Sequence, residues 1–153
     1  MTSSQRPKIV SLQLCVGHRE PMDTPESVNV IAGLGIEGDR HATDEGVRKA
    51  RQVLLMDEET LEAFGLSHGE VRENITTSGI DLAATPAGAT LALGGEVVLK
   101  ITGPCAPCAR MDEIRAGLRL ELDGKRGMLA SVVRGGTIRV GDAISVLEGA
   151  AAS

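Results

Sequence analysis

The chain has 153 residues, a formal net charge of −5 and a single aromatic residue, Phe64. That size predicts one domain over residues 1–148, followed by a disordered tail over 149–153. The acidic balance argues against a polyanion covering the whole surface. The absence of Trp and Tyr removes the stacking platforms that single-stranded nucleic acid needs, so no nucleic acid partner is expected.

In chain order, Lys8 to Val16 alternates, with Val10, Leu12, Leu14 and Val16 on one face, and reads as a first strand. Arg19 to Ser27 is a proline-containing loop. Val28 to Ile31 is a short strand leading into Gly33-Leu34-Gly35-Ile36-Glu37-Gly38-Asp39-Arg40-His41, and Arg51 to Met56 is a third strand. Asp57 has the character of a helix N-cap. Glu58 and Glu59 complement the dipole in the first turn, Leu61 and Phe64 face inward, and Gly65 ends the helix. Asp81 to Gly88 is loop-like.

Thr90 to Leu93 and Glu96 to Thr102 flank Gly94-Gly95, a two-residue hairpin signal. A helix is expected from about Asp112 to Leu122, with Ile114, Leu118 and Leu122 on one face. Gly127 to Val133, Thr137 to Val140 and Ala143 to Leu147 read as three strands, broken by hairpin turns at Gly135-Gly136 and Gly141-Asp142. The pattern predicts a mainly β barrel or sandwich with short helices and no β-α-β rhythm.

Three cysteines are too few, and odd in number, for a secreted disulfide framework. Met1 to Lys8 is polar and lacks the apolar stretch of a secretory signal. No segment approaches the ~20 apolar residues of a membrane span. A reducing, cytoplasmic setting without membrane contact is the expectation, which leaves thiols available.

Gly103-Pro104-Cys105-Ala106-Pro107-Cys108 follows an apolar strand, and its two prolines stiffen the turn. A thiol so placed can ligate a metal, carry sulfur or exchange disulfides. Cys15, His18, His41 and His68 are scattered and supply no second pair for zinc. Gly38-Asp39-Arg40-His41 taken alone reads as a hairpin turn with an exposed Arg, but glycine also allows close backbone approach, from which Arg40 can reach an anionic group bidentately. Arg72-Glu73-Asn74-Ile75-Thr76-Thr77-Ser78-Gly79 reads either as the polar wall of a pocket or as an N-cap and Ser/Thr turn cluster. Arg126, just before a strand, can project from a barrel rim. Arg outnumbers Lys twelve to four, and guanidinium suits phosphate or carboxylate.

In this order the motifs resemble a MOSC domain, the module named for the C-terminal part of molybdenum cofactor sulfurases. The resemblance runs over residues 28 to 147. It rests on Gly35 to His41, Arg72 to Ile80, Gly103 to Cys108, and Arg126 to Ala130 with Gly135 to Asp142. Each motif is weak singly; four in the right order are specific. One departure is Val47-Arg48-Lys49-Ala50, where many relatives carry His-Gly-Gly before the strand at Gln52.

The resemblance implies a closed or partly open β-barrel with two or more short helices, and a pocket for the molybdenum cofactor (molybdopterin). In such domains one cysteine bears sulfur or ligates molybdenum, and Cys108 best matches it, as catalytic and metal-binding residue. Arg40, His41, Arg72, Glu73, Asn74, Cys105 and Arg126 fall where cofactor-binding residues lie. The implied activity is sulfur transfer to the cofactor, or molybdenum-dependent reduction of N-hydroxylated compounds. Implied partners are a cysteine desulfurase, an electron-donor protein or an acceptor molybdoenzyme, since no domain for sulfide generation or electron delivery is attached. The other class compatible with the residues is a cofactor carrier or zinc-binding CxxC module without catalysis.

Overall fold

Alternation of aliphatic side chains builds the interior of this protein. Leu91 and Leu93 on one strand face Val97, Leu99 and Ile101 on the next, and none of the five is accessible to solvent. The computed structural model describes residues 6–17, 22–107 and 110–148; the expected tail over 149–153 lies outside them. The strands, in chain order, are β1 (Lys8–Leu12), β2 (Ser27–Ile31), β3 (Gly35–Ile36), β4 (Val53–Asp57), β5 (Ile75–Ser78), β6 (Thr90–Leu93), β7 (Val97–Pro104), β8 (Met128–Arg134), β9 (Gly136–Arg139) and β10 (Ile144–Glu148). Among the described residues three short α-helices accompany them: α1 (Glu58–Ala63), α2 (Arg110–Ile114) and α3 (Leu118–Glu121).

Seven strands form one sheet in the order β1-β5-β4-β8-β7-β6-β10, and β3-β2-β9 form a second. The large sheet curls until its edges meet. Lys8 bridges Ala143, and Ile9 N–H donates to Asp142 O at 2.9 Å while Ile144 N–H donates to Pro7 O at 2.9 Å. Val28, Val30, Ile36 and Ile138 from the small sheet join the barrel interior as one apolar cluster. The result is the mainly β, nearly closed barrel that the strand spacing and the resemblance predict. Among the described residues, no helix is long and apolar enough to cross a membrane.

Several local expectations are corrected. In β1 a bulge between Ile9 and Ser11 changes the phase, so Ile9 and Leu12 reach the core while Val16 is exposed. The polar run Ile75–Ser78 is an inner strand, antiparallel to β1 and parallel to β4. With α1 between them, β4 and β5 make the β-α-β unit whose rhythm the sequence does not display. The hairpin at Gly94-Gly95 is present, but Leu93 stands opposite Val97, so its loop is the three residues Gly94 to Glu96 rather than two. At Gly135-Gly136 the chain leaves one sheet for the other, and β9 pairs with β2 rather than β8. The turn at Gly141-Asp142 likewise separates strands that do not pair, because β10 pairs with β6.

Asp57 caps α1 as expected, accepting from Thr60 N–H at 3.0 Å, and Gly65 ends it at φ 69°. The predicted single helix over 112–122 is two, parted at Gly117, whose φ of 87° suits glycine. Ile114, Leu118 and Leu122 nonetheless share a face, packing with Met56, Leu61, Leu66, Val71, Met111 and Phe64 in a second apolar cluster.

Gly127 joins the helical segment to β8. Its φ is 105°, and a Cβ there would run into the carbonyl oxygen of Leu55 on the neighbouring β4. Gly127→Ala should therefore cost at least about 3 kcal/mol, from strained φ and steric overlap together. Gly124→Ala, at φ 79° with nothing within 4 Å, should cost only about 1 kcal/mol. Urea melts of the two variants check this difference.

Candidate functional site

The segments that follow β1 and β7, and those that precede β5 and β8, converge on one cavity of about 340 Å³. Cys15 comes from the first, Cys105 from the second, Arg72 and Asn74 from the third, and Arg126 from the fourth. Arg40 and His41 from the glycine-rich loop, Arg51 before β4, and Arg110 at the start of α2 complete the polar lining, with Leu54 and Leu129 as its apolar floor. Among the described residues it has five guanidinium groups and no carboxylate on its wall, inside a protein of net charge −5.

The wall is organised by Asp39, which is buried. Its Oδ1 accepts from Cys15 N–H at 2.7 Å and from the Asn74 side-chain amide at 3.0 Å, and its Oδ2 accepts from His41 N–H at 3.0 Å. Arg40 N–H donates to Cys15 O at 2.7 Å, which closes the loop onto the end of β1. Asn74 carries the tie further: its Oδ1 accepts from Leu54 N–H at 3.0 Å and its amide also donates to Gln13 O at 3.3 Å. Gln52 anchors the preceding glycine turn, donating to Gly33 O and Thr43 O while accepting from Val132 N–H.

Arg72 is the sole non-glycine residue with positive φ, 68°, among the described residues. Positive φ is uncommon for a residue other than glycine and costs some backbone strain. Its Nη2 donates to Cys15 Sγ at 2.9 Å and to Gly17 O at 3.2 Å. Arg126 is only 6% exposed, and its Nη2 donates to Val71 O at 2.7 Å. Its Nε and Nη1 are buried and have no hydrogen-bond partner among the described residues. Leaving charged donors unmatched in the interior is costly, so this guanidinium is suited to an anionic acceptor in the cavity.

Of the residues expected to bind cofactor, the structure brings Arg40, His41, Arg72, Asn74, Cys105 and Arg126 to one cavity. Glu73 does not line it. Its carboxyl is fully buried behind the wall, with Oε2 accepting from Gly69 N–H and Thr76 O–H, both at 2.8 Å. Desolvation raises its pKa above the usual carboxylate range, against the lowering effects of these hydrogen bonds and of the Arg126 charge. Cys108 lies outside the described residues, as does His18. Cys105 is buried, and its N–H donates to Gly127 O at 2.9 Å.

Four contributors went unmarked by the sequence: Asp39, Cys15, Arg51 and Arg110. Cys15 and Arg51 sit just beyond strand termini, a position shared with the residues that were marked. Asp39 stands inside a motif whose arginine draws the eye first. Nothing local to Arg110 distinguishes it. Among the described residues no group of three or more His, Cys, Asp and Glu side chains is arranged to hold a metal ion.

A family model described as MOSC domain matches residues 38–145. The chain belongs to the MOSC domain family. The fold agrees: the YuaD protein from Bacillus subtilis superposes with a TM-score of 0.78 at 20% identity, covering 93% of this chain and 96% of that one. YiiM from Escherichia coli gives 0.69 at 17% identity, over 95% of this chain and 71% of its own. YiiM from Geobacillus stearothermophilus gives 0.72 at 17% identity, over 93% and 75%. No curated protein sequence matches this chain. MOSC domains are associated with the molybdenum cofactor. The unmatched buried donors of Arg126, within a wall of guanidinium groups, fit the terminal phosphate of such a group.

Two outcomes follow for the wall. Asp39→Asn keeps the shape but removes the charge and one acceptor, and should destabilise the fold by about 1.5–3 kcal/mol. Chemical denaturation reads this directly. Glu73 is stabilised when protonated, so its contribution is complete at low pH and is lost as pH rises through its raised folded value. Glu73→Gln should match or exceed the wild type in melting temperature near neutral pH. That advantage should shrink as pH falls toward the ordinary carboxylate range; a pH-independent difference would contradict the assignment.

Proposed function

We propose that this MOSC domain binds the molybdenum cofactor in the guanidinium-lined cavity and uses Cys108 as its sulfur on the reacting side. The observation that carries this reading is Arg126, whose buried Nε and Nη1 have no acceptor among the described residues. A terminal phosphate dianion matches these donors, and Arg40, Arg51, Arg72 and Arg110 surround the same volume. Guanidinium planes can also cover a pterin face in a cavity without aromatic residues. His41 and the Asn74 amide complete the polar rim, though Asn74 is already engaged by Asp39, Gln13 and Leu54.

When bound, the cofactor supplies a molybdenum centre that exchanges sulfur and oxygen ligands and cycles electrons. The chain itself supplies anchoring charge, exclusion of water from the buried side, and a thiolate suited to a soft metal or to sulfane sulfur. Cys108, three residues beyond the buried Cys105, is the residue for that last role. Two activities suit this arrangement: sulfur delivery to the cofactor, which needs a cysteine desulfurase and an acceptor molybdoenzyme, and reduction of N-hydroxylated compounds, which needs an electron-donor protein. A zinc-binding CxxC module would have to draw further ligands from beyond the described residues.

The test is to purify the protein from a molybdenum-replete host and measure pterin and molybdenum. Stoichiometric amounts of both support the proposal; zinc in their place sinks it. Arg126→Gln should weaken cofactor binding about tenfold or more, since a charge-assisted hydrogen bond is worth about 1.5–3 kcal/mol. Cys108→Ser should abolish sulfuration or reduction while the protein stays folded, and activity equal to wild type would remove Cys108 from the chemistry.

A further inference from the structure

Buried cysteines usually serve as small apolar side chains in the core. Cys15 does not: it is 2% exposed but belongs to neither apolar cluster and faces the arginine-lined cavity instead. Its backbone is pinned by Asp39, which accepts from its N–H at 2.7 Å. At the sulfur, Arg72 Nη2 donates at 2.9 Å, while the thiol's own acceptor, Gly17 O, is a weak contact at 3.7 Å. The donor density at this sulfur is what a more anionic sulfur species would need. Independently of Cys15, the unmatched buried donors of Arg126 on the same wall point to an anionic guest.

We propose that Cys15 is a second sulfur-acceptor site, loaded from a persulfide lodged in the cavity. The sulfur of Cys15 attacks the outer, sulfane sulfur of a donor R–S–SH. A bond forms between that sulfane sulfur and Cys15, the S–S bond of the donor breaks, and R–S⁻ leaves with the proton given up by the Cys15 thiol. The products are R–SH and Cys15–S–SH, so atoms and electrons balance without an external oxidant. The Arg72 guanidinium then lies against the new perthiol. Two donors share this chemistry: a persulfide on the Cys105–Cys108 segment, whose Cys105 faces the same cavity, or a small carboxylate-bearing persulfide held by the arginines. The first rests on the sulfur-carrying role proposed for Cys108; the second does not.

Glutathione persulfide is the probe. The full-length protein is treated with it, alkylated, digested, and its cysteine peptides examined by mass spectrometry. One added sulfur on the Cys15 peptide is expected. Loading should fall several-fold with excess inorganic phosphate or in Arg72→Gln, and be absent in Cys15→Ser with circular dichroism confirming its fold. If the Cys105→Ser/Cys108→Ser double variant still loads Cys15, the donor is the free persulfide; if it does not while folded, sulfur is relayed from the segment. Sulfur on Cys108 but never on Cys15 overturns this inference and leaves the proposed function standing. Sulfur on Cys15 but never on Cys108 does the reverse for the sulfur-carrying role. Sulfur on neither overturns both, and loading of Cys15 that ignores phosphate and Arg72→Gln overturns the placement of the site.

Discussion

The rim of this barrel depends on one carboxylate. Asp39 gathers an N–H from the end of β1, an N–H from its own loop and an amide from the residue before β5, segments far apart in the chain. A buried carboxylate with three donors is well satisfied, and the same bonds set where Cys15, Arg40, His41 and Asn74 stand. Its bonds join those of Gln52, of the β2–β3 pairing and of Arg40 N–H to Cys15 O in holding the glycine-rich loop to the barrel. The placement of Arg40 on the cavity wall therefore depends on an acid that does not itself line the cavity.

That division of labour explains how an acidic chain makes a cationic hollow. Net charge describes the surface at a distance; recognition is set by which charges share a small, poorly solvated volume. Asp39 and Glu73, the carboxylates next to the wall, are turned toward backbone N–H and hydroxyl donors. They steady the wall without covering the arginines that line it. Arg72 adds a different device, a left-handed backbone at a non-glycine residue, which aims a long side chain between Cys15 and the carbonyl of Gly17.

Much of the architecture was legible because its causes are local. Alternation marked β6, β7 and β8, the Asp57 cap marked α1, and the glycine pair at 94–95 marked the one hairpin correctly placed. The turns at Gly135-Gly136 and Gly141-Asp142 are equally plain in the sequence, but partner choice is a long-range matter that a turn residue does not encode. The strand at Ile75–Ser78 was concealed for a physical reason: Thr76, Thr77 and Ser78 are buried, so neither alternation nor apolarity announces it. The bulge in β1 likewise swapped the buried face without changing the sequence rhythm. For the site, the ordered motifs brought attention to Arg40, Arg72 and Arg126, whereas Arg51 and Arg110 owe their place to the crossing of distant segments. Cys108, the cysteine that the resemblance marks as sulfur-bearing, lies outside the described residues.

Phe64 packs among the helices with Lys125 5.6 Å above its ring, and is not part of the cavity wall. With no Trp or Tyr anywhere in the chain, the polypeptide is almost transparent in the near ultraviolet. Colour in a purified sample would belong to whatever the hollow has captured, and the protein provides its own dark background for seeing it.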